Sequence, residues 1–238
     1  DFLNLTNPTD GVNSIEYSFF LQDMFILHQT STSGVVELLT VNVGTGQTSF
    51  IGNVTKQTDN TPLMNAQGLA CAVDENVAYT WQTNLLFRLD TATGDATEIG
   101  LSSPVRVNQI DLAYDSLGGR LLSLKQTVAG YTRVHLWNPA TVVRVGNIFV
   151  SDLPPGTKIA GIAVSPTTGT IYGISSEVPA VVYEIMENGT ALPVSATQFT
   201  GEGSAFSGTL YCQLETQAPS TPPSASPSLS KAPSAEPD

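Results

Sequence analysis

From position 85 to position 90, Leu85, Phe87 and Leu89 alternate with Leu86, Arg88 and Asp90. That period of two describes a strand with one face packed and the other more open, although Leu86 blurs the contrast. The alternation stops at Asp90, whose side chain can accept backbone N–H groups one or two residues ahead, and Gly94 can take a positive φ without a Cβ clash. The next segment, DATEIG (95–100), supplies a second short strand, so the local object is a β-hairpin. The same phrase recurs as LLTVNVGTGQTSFIG (38–52), VHLWNPATVVRVG (134–146) and VVYEIMENGTALPV (181–194). Asn42, Asn138 and Glu187 stand where the hairpin at 85–100 has Asp90, so the turns are spaced by 48, 48 and 49 residues. In the 134–146 copy, Pro139 presets φ in place of the glycine, and Asn188-Gly189 makes the tightest turn of the set.

A second hairpin repeats out of phase with the first. It begins at Gly68 (GLACAVDENVAYTW), Ile110 (IDLAYDSLGGRLLSL), Ala160 (AGIAVSPTTGTIYGIS) and, shortened, at Gly203 (GSAFSGTLYCQL), with a poorer early copy at 15–29. Alternating hairpins give units of four short strands and roughly 40 to 50 residues, the mark of a β-propeller. The predicted fold is therefore all-β, a propeller of four-stranded antiparallel blades. Four repeats are fairly complete and a fifth stops at Leu214, which makes about five blades, or part of a larger ring. The N-terminal DFLNLT is available to complete the last blade, since an open edge leaves backbone groups unpaired; neighbouring copies of the chain completing each other's edges is the alternative.

The repeat favours one domain over residues 1–216, because a single four-stranded unit cannot bury both of its faces. Residues 217–238 contain six Pro and six Ser and no strand period, and are expected to form an extended, disordered linker or O-glycosylated stalk. No apolar run is long enough to cross a bilayer. Nine Lys plus Arg against twenty-one Asp plus Glu argue against nucleic acid and anionic membranes as partners. The chain begins at Asp1 without an initiator Met or signal peptide, and is read as a processed product or as part of something longer. Asn4, Asn53 and Asn188 head N-glycosylation triplets, and Cys71 and Cys212 are either one disulfide or two free thiols. These features point to a secreted or cell-surface protein.

The units at 68–100 and 161–175 resemble the loosely defined group of secreted propeller repeats, in which a first hairpin and then a Leu-Tyr-x-Leu-Asp-x-x-Thr-Gly hairpin form each blade. The resemblance covers about residues 15–215. It departs from kelch repeats, lacking their Gly-Gly with spaced Tyr and Trp, and from WD repeats, lacking Gly-His and Trp-Asp. It implies architecture and carries no catalytic residue across. The tail resembles those of secreted cell-wall and surface proteins of algae and similar protists.

Candidate chemistry is sparse. Asp111 and Asp115 flank the strand LAY and Asp74-Glu75 follows LACAV; carboxylates at the ends of inner strands can converge on Ca²⁺, but the fourth copy has Ser165 and Thr167 in their place. His28 and His135 have no ligand partners at zinc spacing, and His135, alternating with Val134 and Leu136, is expected on an exposed or half-packed face. Neither a nucleophile elbow nor a phosphate-binding loop is present. Tyr79, Trp81, Tyr114, Tyr131, Tyr172 and Tyr183 can stack on sugar rings, although blade cores claim most of them. The leading expectation is a non-enzymatic structural, adhesive or assembly module with protein or self partners. The alternative is a propeller enzyme or lectin-like module working on glycans, the enzyme showing two carboxylates across a pocket and the lectin exposed aromatics.

Overall fold

The computed structural model describes residues 11–18, 21–30, 33–72, 75–101, 109–126, 131–177 and 179–194. They form a β-propeller of four sheets in which successive strands pair antiparallel, the second sheet gaining a fifth, parallel edge strand at residues 55–56. The first blade holds β1 (Gly11–Ser18), β2 (Asp23–Gln29), β3 (Val36–Val41) and β4 (Thr48–Asn53). Then β5 (Thr55–Lys56) leads to the second blade, β6 (Ala66–Cys71), β7 (Val77–Gln82), β8 (Leu85–Asp90) and β9 (Asp95–Leu101). The third holds β10 (Gln109–Asp115), β11 (Arg120–Gln126), β12 (Thr132–Trp137) and β13 (Arg144–Phe149). The fourth holds β14 (Ile159–Val164), β15 (Ile171–Ser175), β16 (Val182–Ile185) and β17 (Ala191–Pro193). Among the described residues no helix is long and apolar enough to cross a membrane.

The first strands of the blades stand side by side, β1 against β6, β6 against β10 and β10 against β14; no comparable packing joins β14 to β1 among the described residues. The fifth copy at 203–214, the N-terminal DFLNLT and the segment 217–238 lie outside the described residues.

Three apolar clusters fill the gaps between successive blades. Phe25, Leu38, Leu69 and Phe87 join the first blade to the second. Trp81, Leu86, Leu121 and Trp137 join the second to the third, and Leu122, Val134, Ile162 and Ile185 the third to the fourth. This corrects the one-faced reading of β8, because a middle strand of a blade is covered on both sides: Leu86 faces one cluster, Phe87 and Leu89 the other. Each fully buried Leu or Phe is worth about 1.5–3 kcal/mol over leaving it in water, so the stacking of blades is the main source of cohesion.

The turns explain the repeat. The side-chain oxygens of Asn42, Asp90 and Asn138 each accept two successive backbone N–H groups, from Gly44 and Thr45, Ala92 and Thr93, and Ala140 and Thr141. Four residues on, the N–H of Gly46, Gly94 and Val142 returns to the carbonyl of that same Asn or Asp at 2.7–2.9 Å. This closure needs a left-handed residue, and Val142 adopts φ 55° beside Gly46 at 70° and Gly94 at 81°. Pro139 therefore does not remove the need for that conformation; a β-branched residue takes it on instead, held by its burial in the cluster between the second and third blades. In the fourth blade the turn acceptor is Asn188, which takes the Thr190 N–H, whereas Glu187 pairs with Arg120 of the third blade.

A second regularity was not visible in the sequence. The pairing of each inner strand with its neighbour is interrupted at one equivalent place, between Val12 and Ser14, Gln67 and Ala70, Gln109 and Asp111, and Ile159 and Gly161. Bulges of this kind bend a strand and re-aim its side chains. The Gly68 position needs a glycine, since φ is 69° and an added Cβ would sit 3.0 Å from the Leu112 backbone nitrogen. One blade further on, the side chain of Asp111 does the bridging, its Oδ2 accepting the Ile162 N–H at 2.8 Å.

Candidate ligand cleft beside the third blade

After the outer strands of the first and third blades the chain turns inward along the edge of the next blade. Val54 and Val150 donate their N–H groups back to Val36 and Thr132, and then Thr55 and Ser151 donate to the carbonyls of Gly94 and Gly189 in the following blade. The close approach at Gly189, with φ 95°, leaves no room for a Cβ against the Phe149 carbonyl. Between Ser151 and β14 the linker makes a tight turn at Pro154-Pro155-Gly156-Thr157. The Thr157 N–H reaches the Pro154 carbonyl at 3.0 Å and Gly156 takes φ 89°, the type II arrangement for which Pro and Gly are preorganised.

This stiff linker walls a cleft of about 440 Å³, closed on the other side by Tyr131, Thr132 and Phe149 at the ends of β12 and β13. The size falls in the range of small-ligand sites. Tyr131 is 56% and Phe149 42% exposed, yet their rings lie 5.4 Å apart, a paired aromatic surface open to water. The pair is not demanded by the repeat. Asn53 and Leu101 hold the strand positions that correspond to Phe149, as pairing with Glu37 and Leu85 shows against the pairing of Phe149 with Arg133. Two more wall residues, Thr132 and Thr157, are buried with hydroxyls that have no hydrogen-bond partner. Asp152, at φ 62° and hydrogen-bonded by the Ser151 hydroxyl at 3.2 Å, is the one carboxylate among the described lining residues, and Lys158 the one cation. Among the described residues the lining holds neither the paired carboxylates of glycoside hydrolysis nor a nucleophile with its base. The arrangement suits binding by stacking and hydrogen bonding.

The residues singled out from the sequence do not converge on one site. Of the aromatic candidates, Trp81 and Tyr183 are buried, Tyr79, Tyr114 and Tyr172 half-buried, and Tyr131 exposed. Asp111 is committed to Ile162, and Asp115 binds Arg120 at 2.8 Å and the Gly118 N–H at 2.9 Å. Glu75 pairs with Arg88 at 3.4 Å, while Asp74 lies outside the described residues. Among the described residues no three metal-ligating side chains gather. His28 binds Glu37 at 2.9 Å.

His135 is buried rather than half-packed, because the Trp137 ring stands edge-on 5.8 Å away on the same strand face. Burial first, and then the charges of Arg144, Lys125 and Arg133, lower its pKa to about 4. Cys71 is a buried thiol in the cluster between the first two blades; burial, with the Glu16 carboxylate adding to it, pushes its pKa well up. Asn53 ends β4 and Asn188 occupies the last hairpin turn, both exposed, whereas Asn4 and Cys212 lie outside the described residues.

Phe149, Thr132 and the linker 150–158 were absent from the sequence-derived candidates. Their available signals were the Pro-Pro-Gly turn and the aromatic residue where other copies carry Asn53 and Leu101.

No protein-family model matches the chain, and no curated protein matches it. Solved structures do. A chain of a nidogen/laminin complex superimposes with a TM-score of 0.56 at 9% identity, covering 83% of this chain and 69% of that one. Regucalcin, a calcium-binding protein from Agrobacterium tumefaciens str. C58, gives 0.51 at 14% identity over 72% of this chain and 55% of its own. TolB from Acinetobacter baumannii gives 0.50 at 11% identity over 80% and 45%. The present chain thus spans about half the length of the last two, and at these identities the likeness is one of fold.

Proposed function

We propose that the protein is a non-catalytic binding module that works outside the cell, an adhesive propeller that recognises a carbohydrate in the cleft between the third blade and its linker. The observation that carries this reading is the Tyr131–Phe149 pair: two exposed rings 5.4 Å apart, absent from the repeat's own requirements, at the edge of a stiff-walled cleft. Aromatic faces offer a sugar's C–H groups an apolar surface, and the Ser151 hydroxyl with Asp152 supplies polar groups that orient its O–H groups. A single carboxylate favours binding over glycoside hydrolysis. Exposure of Asn53 and Asn188 supports glycosylation of the protein itself, and the Pro/Ser-rich segment 217–238 supports a stalk-borne display. The reading is tested by oligosaccharide binding measured on the full chain and on Tyr131→Ala and Phe149→Ala. Binding that weakens at least tenfold in both variants, with unfolding temperatures kept, is the expected result; unchanged binding refutes the site.

A further inference from the structure

The formal charge of the chain is −12, with nine Lys plus Arg in all. Against that background blade three and its linker are unusual. They carry Arg120, Lys125, Arg133, Arg144 and Lys158. Arg120 is committed, to Asp115 and Glu187. No carboxylate among the described residues pairs with the other four, although acidic residues outnumber basic ones more than two to one. Lys125 and Arg133 also face each other directly across β11 and β12, a juxtaposition of like charges that costs stability in a sheet. The next residue in the same row is Phe149, opposite Arg133 on β13, and the Arg133 guanidinium lies 5.4 Å from the centre of its ring. A ladder therefore runs Lys125, Arg133, Phe149, Tyr131 to the cleft, whose lining also includes Lys158. His135, in the adjoining row between Ser123 and Asn147, feels Lys125, Arg133 and Arg144 together, an independent sign that their fields overlap.

Cations without a carboxylate partner, one of them stacked on the aromatic pair that the binding reading already uses, have a common use. We infer that the saccharide taken by this cleft is an acidic one, whose carboxylate or sulfate groups are held by Arg133 and Lys158 while its ring lies on Tyr131 and Phe149. The inference rests on the carbohydrate-binding reading and adds the ligand's charge to it. Asp152 meets the hydroxyl edge of the sugar, and the two cations outweigh its single charge. The guanidinium offers carboxylate or sulfate a planar fork of donors, while the Lys158 ammonium acts as a point charge. An acidic peptide would satisfy the cations but would leave the Tyr131–Phe149 stacking surface without a matching group.

The test is calorimetric titration of the full chain with oligogalacturonate, with its fully methyl-esterified form, with a sulfated oligosaccharide, and with oligoglutamate. The acid or the sulfate is expected to bind at least about tenfold more tightly than the ester. That affinity should fall as salt rises from about 0.1 M to about 1 M, where the screening length shrinks from about 10 Å to about 3 Å. Arg133→Gln and Lys158→Gln should each weaken the acid about five- to tenfold and the ester by much less, with the circular dichroism spectrum checking the fold. Ester and acid bound equally, without salt dependence, would overturn the acidic ligand and leave carbohydrate binding standing. Oligoglutamate bound as tightly as the acidic sugars would overturn the saccharide, since charge alone would then be read. No sugar bound at all would remove both readings.

Discussion

Replacing Trp81 and Trp137 one at a time by phenylalanine should have different effects, although the two side chains share one cluster. Their rings meet edge-on at 5.5 Å between the second and third blades, and both are buried, at 1% and 3% exposure. The packing lost on trimming an indole to a phenyl is thus similar at the two sites and largely cancels in the comparison. What differs is the N–H. Trp137 Nε1 donates to the buried Ser123 hydroxyl at 2.7 Å, whereas Trp81 Nε1 is buried with no partner. Trp137→Phe loses a hydrogen bond worth about 0.5–1.5 kcal/mol net and strands the hydroxyl; Trp81→Phe deletes a donor whose burial costs about 1–3 kcal/mol. The two variants should differ in stability by about 2–4 kcal/mol, with Trp137→Phe the weaker. For a chain of this length that is a gap of about 5–10 °C in melting temperature. Each variant keeps one of the chain's two tryptophans, so unfolding can be followed by its fluorescence and cross-checked by circular dichroism. Equal melting temperatures, or a lower one for Trp81→Phe, would refute this account of the interface.

Asp111→Ala removes the bond from β10 to the Ile162 N–H of the next blade, and should lower the urea midpoint by an amount equivalent to about 2–3 kcal/mol; a change below about 0.5 kcal/mol would mean the blades are not tied there. Cys71, its pKa raised by burial and by Glu16, should resist alkylation by iodoacetamide in the native protein near neutral pH and react fully in denaturant, as read by mass spectrometry. His135 has a folded pKa of about 4 against an ordinary 6.5, so the unfolded chain takes up a proton between those values that the folded one refuses. Its contribution to stability is therefore complete above about pH 6.5 and is lost as pH falls toward 4; in His135→Gln the urea midpoint should vary less across that window.

The four-strand unit was legible because its turns are local chemistry. Asn42, Asp90 and Asn138 do what a short polar side chain at a turn can do, and their spacing exposes the repeat without any knowledge of packing. Features set by neighbouring blades were not legible. Whether Leu86 meets water depends on Trp137 and Leu121 of the next sheet, and whether Val142 can bear a left-handed conformation depends on the cluster that buries it. His135 reads as a surface residue in its own strand and becomes buried through the fold around it. The cleft was hidden for the same reason. Of its aromatic pair only Tyr131 drew notice, since Phe149 sits in an alternating strand where an apolar residue is unremarkable until three copies are aligned by their pairing.

That alignment gives a rule for separating scaffold from site in this chain. Positions that stacking requires stay apolar from blade to blade, as Leu69, Leu112 and Ile162 do, each buried against the preceding blade. Positions that the turn requires stay short and polar, or left-handed. A position belonging to neither class is free to differ, and a costly residue there calls for a separate cause. Asp111, where the equivalent bulges have Gly68 and Gly161, has one inside the fold, because its carboxylate is used by Ile162. Phe149, where the equivalents are Asn53 and Leu101, keeps a ring that is 42% exposed, beside an exposed Tyr131 and under the guanidinium of Arg133. The fold uses the first substitution; the second leaves an exposed ring beside Tyr131 and Arg133, the group on which the proposed carbohydrate site rests.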